Sequence, residues 1–139
     1  MINDIDAVVL NISIDSSPEK IWKVLVDENE FNACFETIEM HCDEWKVGGT
    51  IYFESSKNNT KVNDQAIIRL ISEYNQLSYA YQKEHEQHVI EVSITLKPIG
   101  HFTYLSIEGK NFKDDFERSH SENVWINMLQ KMKTYCQKK

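Results

Sequence analysis

The chain is poor in the residues and segments on which several protein classes depend. Its 139 residues include only three cysteines, Cys34, Cys42 and Cys136, and none of them forms a Cys-X-X-Cys pair. An odd number of scattered cysteines argues against a disulfide framework and is typical of a reducing compartment. No apolar run approaches the roughly 20 residues that span a bilayer, and the first residues lack the basic stretch of a signal peptide. We therefore expect a cytoplasmic protein without a membrane span.

Positive charge is also scarce. The chain has 15 lysines and arginines against 22 aspartates and glutamates, which gives a formal net charge of -7. Nucleic acids and anionic membrane surfaces are bound through a basic footprint, so this balance disfavours both as partners.

Sequence motifs of common enzymes are missing: there is no GxSxG, Walker loop, GxGxxG or HExxH. His85 and His88 in "HEQH" are predicted to be exposed turn residues rather than metal ligands, because no third ligand is near. His41 and Cys42 could in principle form a histidine–thiolate pair that acts as a nucleophile. They are neighbours on a predicted strand, however, where adjacent side chains point to opposite faces, which disfavours such a pair. We predict no catalytic residue, no metal site and no cofactor.

Glycine is rare, and two of the four glycines, Gly48 and Gly49, are adjacent in "WKVGGTIYF". A phosphate-binding loop needs glycines between a strand and a helix, so that the helix N-terminus faces the anion. Here the following segment "TIYFE" is β-branched and aromatic, which predicts a strand. The pair is therefore predicted to form a turn or bulge that requires a positive φ.

The first third of the chain predicts a strand and two helices. Four alternating apolar residues indicate a half-buried strand: Val8, Leu10, Ile12 and Ile14. Ser17 is a predicted N-cap, with Pro18 at the first position of a helix. A second short helix is predicted at 28–33.

The middle of the chain, from 36 to 109, predicts a series of strands. They are "TIEMHC", "TIYFES", "QAIIRLISEY", "LSYAYQKE", "VIEVSITLKP" and "FTYLSIEG". The links are short, which is typical of an antiparallel meander. The polar segment "KNNTKVND", at 57–64, is predicted to be a turn.

The last segment, 115–137, has apolar residues at a 3.6-residue spacing and predicts a long amphipathic helix. One curved antiparallel sheet covered by one helix leaves part of its concave face unfilled. We therefore expect an α+β fold, a single domain over 1–139, and a cavity between the sheet and the helix.

Five segments, in this order, resemble a known family: "SSPEKIWKVLVDENEF", "WKVGGTIYFES", "NQLSYAY", "VSITLKPIGHFTYLSIEG" and "VWINMLQKMKTYCQ". The chain is similar over nearly its whole length to the C-terminal-domain family of the activator of heat-shock protein 90 ATPase. That family belongs to the START-like (SRPBCC) superfamily, with birch-pollen-allergen-like proteins and polyketide cyclases. The resemblance implies a helix-grip fold, in which a curved antiparallel sheet wraps around a long C-terminal helix and encloses a hydrophobic cavity.

Two positions depart from the pattern of the family. Cys34 precedes Phe35 where many members have tryptophan, and Val124 precedes Trp125 where many have glycine. The first change frees space in the expected cavity and the second fills some, so the size of the cavity is left open.

Aromatic and apolar side chains from the strands and the last helix are predicted to line this cavity. The predicted lining residues are Phe35, Ile51, Phe53, Tyr79, Tyr81, Phe116, His120, Trp125, Met128 and Met132, with Phe35 and Phe116 closing it. Each buried tyrosine hydroxyl would need a hydrogen-bonding partner. An apolar cavity with a few polar groups is typical of a small-molecule site.

We therefore predict non-catalytic binding of a small apolar or amphipathic molecule, lipid-like or polyketide-like. The resemblance leaves two alternatives. One is a co-chaperone that binds a heat-shock-protein-90-type ATPase. The other is a cyclase-like or hydrolase-like enzyme that uses the same cavity, which would need a polar acid–base pair; the sequence offers only His120 and the tyrosines for it.

Overall fold

A computed structural model describes residues 6–57 and 59–138. Over these residues the elements are β1 (Val8–Ile14), α1 (Pro18–Val26), α2 (Glu28–Cys34), β2 (Ile38–Cys42), β3 (Thr50–Lys57), β4 (Thr60–Ser72), β5 (Gln76–Gln82), β6 (Val89–Ile99), β7 (Phe102–Lys110) and α3 (Asp115–Cys136). No helix in this part of the chain is long and apolar enough to cross a membrane.

The seven strands form one curved antiparallel sheet in the order β1-β7-β6-β5-β4-β3-β2. The meander predicted from β2 to β7 is confirmed, and β1 pairs with β7 at the far edge. Leu10 lies opposite Ile107, which in turn lies opposite Ile94. Cross-strand partners share a face of the sheet, so the alternating apolar residues all point to the concave side. The long helix α3 covers that side, which confirms the helix-grip fold.

Each helix begins at a capping side chain that accepts a backbone hydrogen bond: Ser17 from Lys20 (3.2 Å), Asp27 from Glu30 (3.1 Å) and Asp114 from Glu117 (2.8 Å). Such caps satisfy amides that the helix itself leaves unpaired. The predicted start of α1 at Ser17 and Pro18 is confirmed, and α2 extends one residue beyond the predicted 28–33.

The short helix α2 covers the free edge of β2. Amides on this edge donate to atoms at or near α2: Ile38 to the carbonyl of Phe35 (3.0 Å), Met40 to Asn32 Oδ1 (2.9 Å) and Cys42 to Glu28 Oε2 (3.4 Å). An uncovered edge would be a template for pairing with another chain. The same contacts hold α2, and with it Phe31, against one end of the sheet.

The glycine pair forms a turn that is joined to β4. Gly48 has a φ of 88°, and the amide of Gly49 donates to the carbonyl of Lys46 at 2.8 Å. Ile68 hydrogen-bonds to both glycines, at 2.9 Å in each case. The pair therefore fixes the start of β3, as the sequence predicts, and a helix does not follow it.

The polar turn predicted at 57–64 is wrong for most of the segment. Thr60–Asp64 belong to β4 and pair with β3, while Asn58 lies outside the described residues. The strand ladder satisfies the backbone here, and the polar side chains lie in solvent or at the opening of the cavity. Polarity alone therefore does not distinguish a turn from the exposed end of a hairpin. The signal-peptide expectation falls partly on residues 1–5, which also lie outside the described part.

Candidate functional site

A cavity in two adjoining parts lies between the concave face of the sheet and α3. The outer part has a volume of about 640 Å³, and the inner part adds about 60 Å³. Both parts share wall residues, namely Phe31, Phe53, Tyr79, Trp125 and Met128. Small-molecule sites in proteins measure roughly 300–1,000 Å³, so the outer part alone has the size of a ligand site.

The inner part is apolar. Its remaining walls are Leu25, Phe35, Ile51, Leu77, Ile94, Leu105, Ile107, Leu129 and Met132. The one hydroxyl among all its lining residues belongs to Tyr79. Any ligand atoms that reach this end must therefore be mainly hydrocarbon.

A row of aromatic rings runs from the inner end to the opening. Phe35 lies 4.8 Å from Phe31, and Phe31 lies 5.9 Å from Phe53, measured between ring centroids. Phe53 in turn lies 6.4 Å from Tyr79 and 5.7 Å from Tyr81. These spacings are within the range in which aromatic rings attract one another. The row gives the cavity one continuous aromatic wall.

The two tyrosine hydroxyls have different surroundings. Tyr81 donates its hydroxyl proton to Asp64 Oδ2, and burial together with that carboxylate raises the pKa of Tyr81 well above its usual range. Burial also raises the pKa of Tyr79, yet no residue in the described part of the chain hydrogen-bonds to its hydroxyl. Tyr79 therefore presents a protonated donor to the cavity itself.

The opening of the cavity is acidic. Asp64, Glu84 and Glu86 border it, with Lys83 as the basic residue among its lining residues. Asp64 Oδ1 accepts a hydrogen bond from the amide of Glu84 at 2.9 Å. These four residues are not among the predicted lining residues. Asp64 alternates with Val62 and Ala66, so the two-residue period would have placed it on the inner face if the segment had been treated as a strand.

A buried ion pair fixes α3 over the opening. Glu117, in the first turn of α3, is 2% exposed, and its Oε2 lies 2.8 Å from Nζ of Lys83. Its Oε1 accepts a hydrogen bond from the amide of Lys113 at 2.9 Å. Burial by itself would raise the pKa of Glu117, but the hydrogen bonds from Lys83 and Lys113 and their charges outweigh it, so the pKa is lowered.

The N-terminal half of α3 forms the rim of the opening. Phe116 and His120 stack at 6.3 Å with their rings 7° from parallel, and both border the outer part. The expectation that Phe116 closes the cavity is wrong, because its side chain is 80% exposed. Val124, one turn further on, is 37% exposed and also lies on the rim. The cavity is therefore open at this side.

Trp125 reaches into the cavity because β7 has a glycine opposite it. A Cβ atom at Gly109 would lie 2.3 Å from the Trp125 ring. The indole also packs against Phe112, with ring centroids 6.1 Å apart. A side chain at Gly109 would force α3 away from the sheet or turn the indole out of place.

All ten predicted lining residues border the cavity in the structure. Phe35, Ile51 and Met132 line the inner part, and Tyr81, Phe116 and His120 line the outer part. The remaining four, Phe53, Tyr79, Trp125 and Met128, border both. That these residues bind a ligand stays a prediction.

The other candidate groups lie away from the cavity. His41 is exposed between Glu28 (3.0 Å) and Asp43 (2.7 Å), whose hydrogen bonds raise its pKa, whereas Cys42 is buried. The side chain of His85 is 90% exposed, and His88 bonds to the carbonyl of Asn111. Within the described ranges no group of three His, Cys, Asp or Glu side chains could hold a metal ion.

The three cysteines are buried and free. Burial raises the pKa of Cys34 to about 12 and that of Cys136 to about 11. The reactive form of cysteine is the thiolate, so these two side chains act as packing groups.

Several solved structures have this fold. Protein CV1439 from Chromobacterium violaceum is 16% identical, with 96% of this chain and 99% of that chain covered and a TM-score of 0.82. ChR145 from Cytophaga hutchinsonii is 22% identical, with 94% and 92% covered and a TM-score of 0.76. The Aha1 dimer from Colwellia psychrerythraea is 18% identical, with 94% of this chain and 96% of that chain covered and a TM-score of 0.75.

None of the curated proteins matches the chain by sequence. The family model described as "Activator of Hsp90 ATPase homolog 1-like protein" matches residues 15–137. That range begins just before α1 and ends just after α3, so it includes nearly every element that builds the cavity. The chain belongs to the family of activator of Hsp90 ATPase homolog 1-like proteins.

Proposed function

We propose that the protein binds a small apolar or amphipathic molecule in the cavity between the sheet and α3. The observation that carries this proposal is the size of the cavity combined with its continuous aromatic wall. The outer part has a solvent-accessible volume of about 640 Å³. Its walls include Phe31, Phe53 and Trp125, so apolar surface faces water there. Removing such surface from water stabilises a complex by roughly 25 cal/mol per Å².

The polar groups support a binding role over a catalytic one. Tyr81 and Asp64 form a hydrogen-bonded pair of side chains at the opening that resembles the acid–base pair an enzyme would need. The raised pKa of Tyr81 keeps its hydroxyl protonated, so the tyrosine can donate a hydrogen bond but does not accept a proton at neutral pH. We therefore assign the pair to recognition of the ligand.

A cavity-filling variant with a matched control tests the proposal. Val62 lies on the inner face of β4 and borders the outer part, whereas Asn63 is exposed on the opposite face. We expect the wild type to bind an uncharged environment-sensitive fluorophore (N-phenylnaphthylamine), Val62→Trp to weaken binding about tenfold or more, and Asn63→Trp to leave it unchanged. Native mass spectrometry of protein purified from cells should show a bound species that Val62→Trp lacks.

Absence of binding to the wild type, or equal binding to both variants, would remove the proposal. Thermal unfolding of both variants shows whether Val62→Trp still folds, and a second filling variant, Ser121→Phe, blocks the same space from α3.

A second candidate is an interaction with a heat-shock-protein-90-type ATPase, which the match to the family model favours. It is tested by adding the protein to such an ATPase and measuring ATP hydrolysis. If stimulation occurs and Val62→Trp retains it, the interaction does not need the cavity. If hydrolysis is unchanged and no complex forms on size-exclusion chromatography, this candidate is removed.

A further inference from the structure

We propose that the opening of the cavity selects its ligand by charge, and favours an apolar molecule that carries a protonated amine over one that carries a carboxylate. This inference rests on the proposed function, because it concerns the polar end of the same ligand.

The polarity of the two parts orients such a ligand. The inner part offers hydrocarbon and one hydroxyl, whereas all the charged lining residues border the outer part. Burying a charge in the inner part without a partner would be strongly unfavourable. A charged or strongly polar end of the ligand must therefore stay beside Asp64, Glu84 and Lys83.

The two lysines near the opening, Lys83 and Lys113, are already paired. Nζ of Lys83 lies 2.8 Å from the carboxylate of Glu117, which is 2% exposed. Lys113 lies 3.0 Å from Glu86. A ligand carboxylate would have to compete with these carboxylates for either lysine, and in doing so would leave Glu117 buried without its cation.

Two carboxylates at the opening, Asp64 and Glu84, pair with no lysine or arginine within the described ranges. Asp64 accepts hydrogen bonds from the hydroxyl of Tyr81 and the amide of Glu84, and both donors are neutral. Glu84 accepts from the amide of Asn63 at 3.2 Å. Its other oxygen lies 3.7 Å from His85, whose side chain is 90% exposed and therefore strongly screened by water. Neutral donors orient a carboxylate but leave its net charge in place.

An independent feature, the hydroxyl of Tyr79, also points to a ligand. It lies where the inner and outer parts meet, and no side chain of the described ranges accepts its proton. Tyr79 is half-buried, and a hydroxyl that faces the cavity in this way can donate to a neutral oxygen on the ligand. The ligand that fits best thus has an apolar body, a neutral oxygen at mid-length and an amine at the opening.

A matched series of ten-carbon amphiphiles tests the inference: decylamine and decanoate below their micelle concentrations, and decanol below its solubility limit, are compared as displacers of the fluorophore at about pH 7. We expect decylamine to bind about tenfold or more tightly than decanoate, with decanol between them. Asp64→Asn removes one charge and keeps one acceptor oxygen, which can accept from the amide of Glu84 while its NH2 donates to the hydroxyl of Tyr81. It should therefore reduce the ratio of the two affinities about threefold or more.

Asp43→Asn is the matched control. It removes the same charge from a side chain that is 77% exposed and bonded to His41, away from the cavity, so it tests for general attraction of amines to a protein with a net charge of -7. The ratio should be unchanged in this variant.

The two proposals fail in different ways. If decanoate binds as tightly as decylamine, or if Asp43→Asn changes the ratio as much as Asp64→Asn, the charge selection is wrong and the binding role stands. If none of the three amphiphiles displaces the fluorophore and native mass spectrometry shows no bound species, the proposed function fails and the charge selection fails with it.

Discussion

The replacement of Lys83 by methionine tests the most buried charge in the described part of the chain. Glu117 is 2% exposed, and Lys83 is its closest cation, at 2.8 Å. Methionine keeps most of the apolar stem of lysine and removes the ammonium. The variant therefore leaves the carboxylate of Glu117 buried without its main partner.

The magnitude follows from what remains around Glu117. Removing one partner of a fully buried ion pair costs about 3–5 kcal/mol. Lys83 is 30% exposed, and Glu117 keeps the hydrogen bond from the amide of Lys113, so we expect a smaller loss of about 2–3 kcal/mol at neutral pH. For a chain of this length that corresponds to a fall in melting temperature of about 7–10 °C.

The pH dependence has a definite sign. In the wild type the pKa of Glu117 is lower when folded than when unfolded, so its stabilising contribution is present above the unfolded pKa and is lost as pH falls through the folded pKa. Without Lys83, burial raises the folded pKa instead. The penalty of Lys83→Met is then largest at neutral pH, and it shrinks as the pH falls and Glu117 takes up a proton.

Urea unfolding at about pH 7.5 and about pH 5 measures both effects. Glu117→Gln in the Lys83→Met background should restore most of the loss, because glutamine is neutral and can still accept from the amide of Lys113. Lys113→Met, which removes a more exposed lysine 4.0 Å from Glu117, is the control and should have a much smaller effect. A loss below about 1 kcal/mol, or one that does not change with pH, would refute this account of the pair.

Substitutions at four further positions have expected outcomes that thermal unfolding can check. Gly109→Ala places a Cβ 2.3 Å from the Trp125 ring, so we expect a loss of about 1–3 kcal/mol and a red-shifted tryptophan emission; an unchanged spectrum would contradict the packing of Trp125. In Gly49→Ala the new Cβ would lie 2.1 Å from the carbonyl oxygen of Glu44, whereas in Gly48→Ala the Cβ has open space but the backbone has a φ of 88°. We therefore expect Gly48→Ala to lower the free energy of unfolding by roughly 1 kcal/mol and Gly49→Ala to lower it clearly more. Thr103 is 0% exposed and donates to the carbonyl of Ser16 at 2.7 Å, so Thr103→Val should cost about 1–3 kcal/mol and Thr103→Ser considerably less; equal effects would mean that the hydroxyl does not matter.

Local patterns in the sequence predicted most of the fold. The alternation of Val8, Leu10, Ile12 and Ile14 required a strand with one buried face, and Ser17 followed by Pro18 fixed the start of α1. These signals depend on neighbours along the chain, so they can be interpreted without knowing the tertiary structure. The polar hairpin end at Thr60–Asp64 was missed because pairing with β3, a contact made in the folded sheet, decides its conformation.

The residues of the candidate site likewise fall into those that local sequence patterns predicted and those that only the folded structure revealed. Periodicity and residue type indicated the aromatic lining, since Phe53, Tyr79 and Tyr81 occupy the apolar face of predicted strands. The acidic opening could not be predicted, because Asp64, Lys83 and Glu117 come from β4, the β5–β6 connection and α3. Charged residues usually lie in solvent, and nothing in the local sequence of Lys83 or Glu117 distinguishes them from the many others. Asp64 does have a local signal, its alternation with Val62 and Ala66, but it lies in a segment predicted to be a turn.

The sequence by itself determined the elements, their order and the face of each strand that is apolar, because hydrophobic periodicity and capping are local properties of the chain. Only the tertiary structure decided that the cavity is open at the rim formed by Phe116, that Glu117 is buried against Lys83, and that Asp64 borders the opening. The curvature of the sheet and the path of α3 across it set those distances, and both result from contacts between residues far apart in the chain.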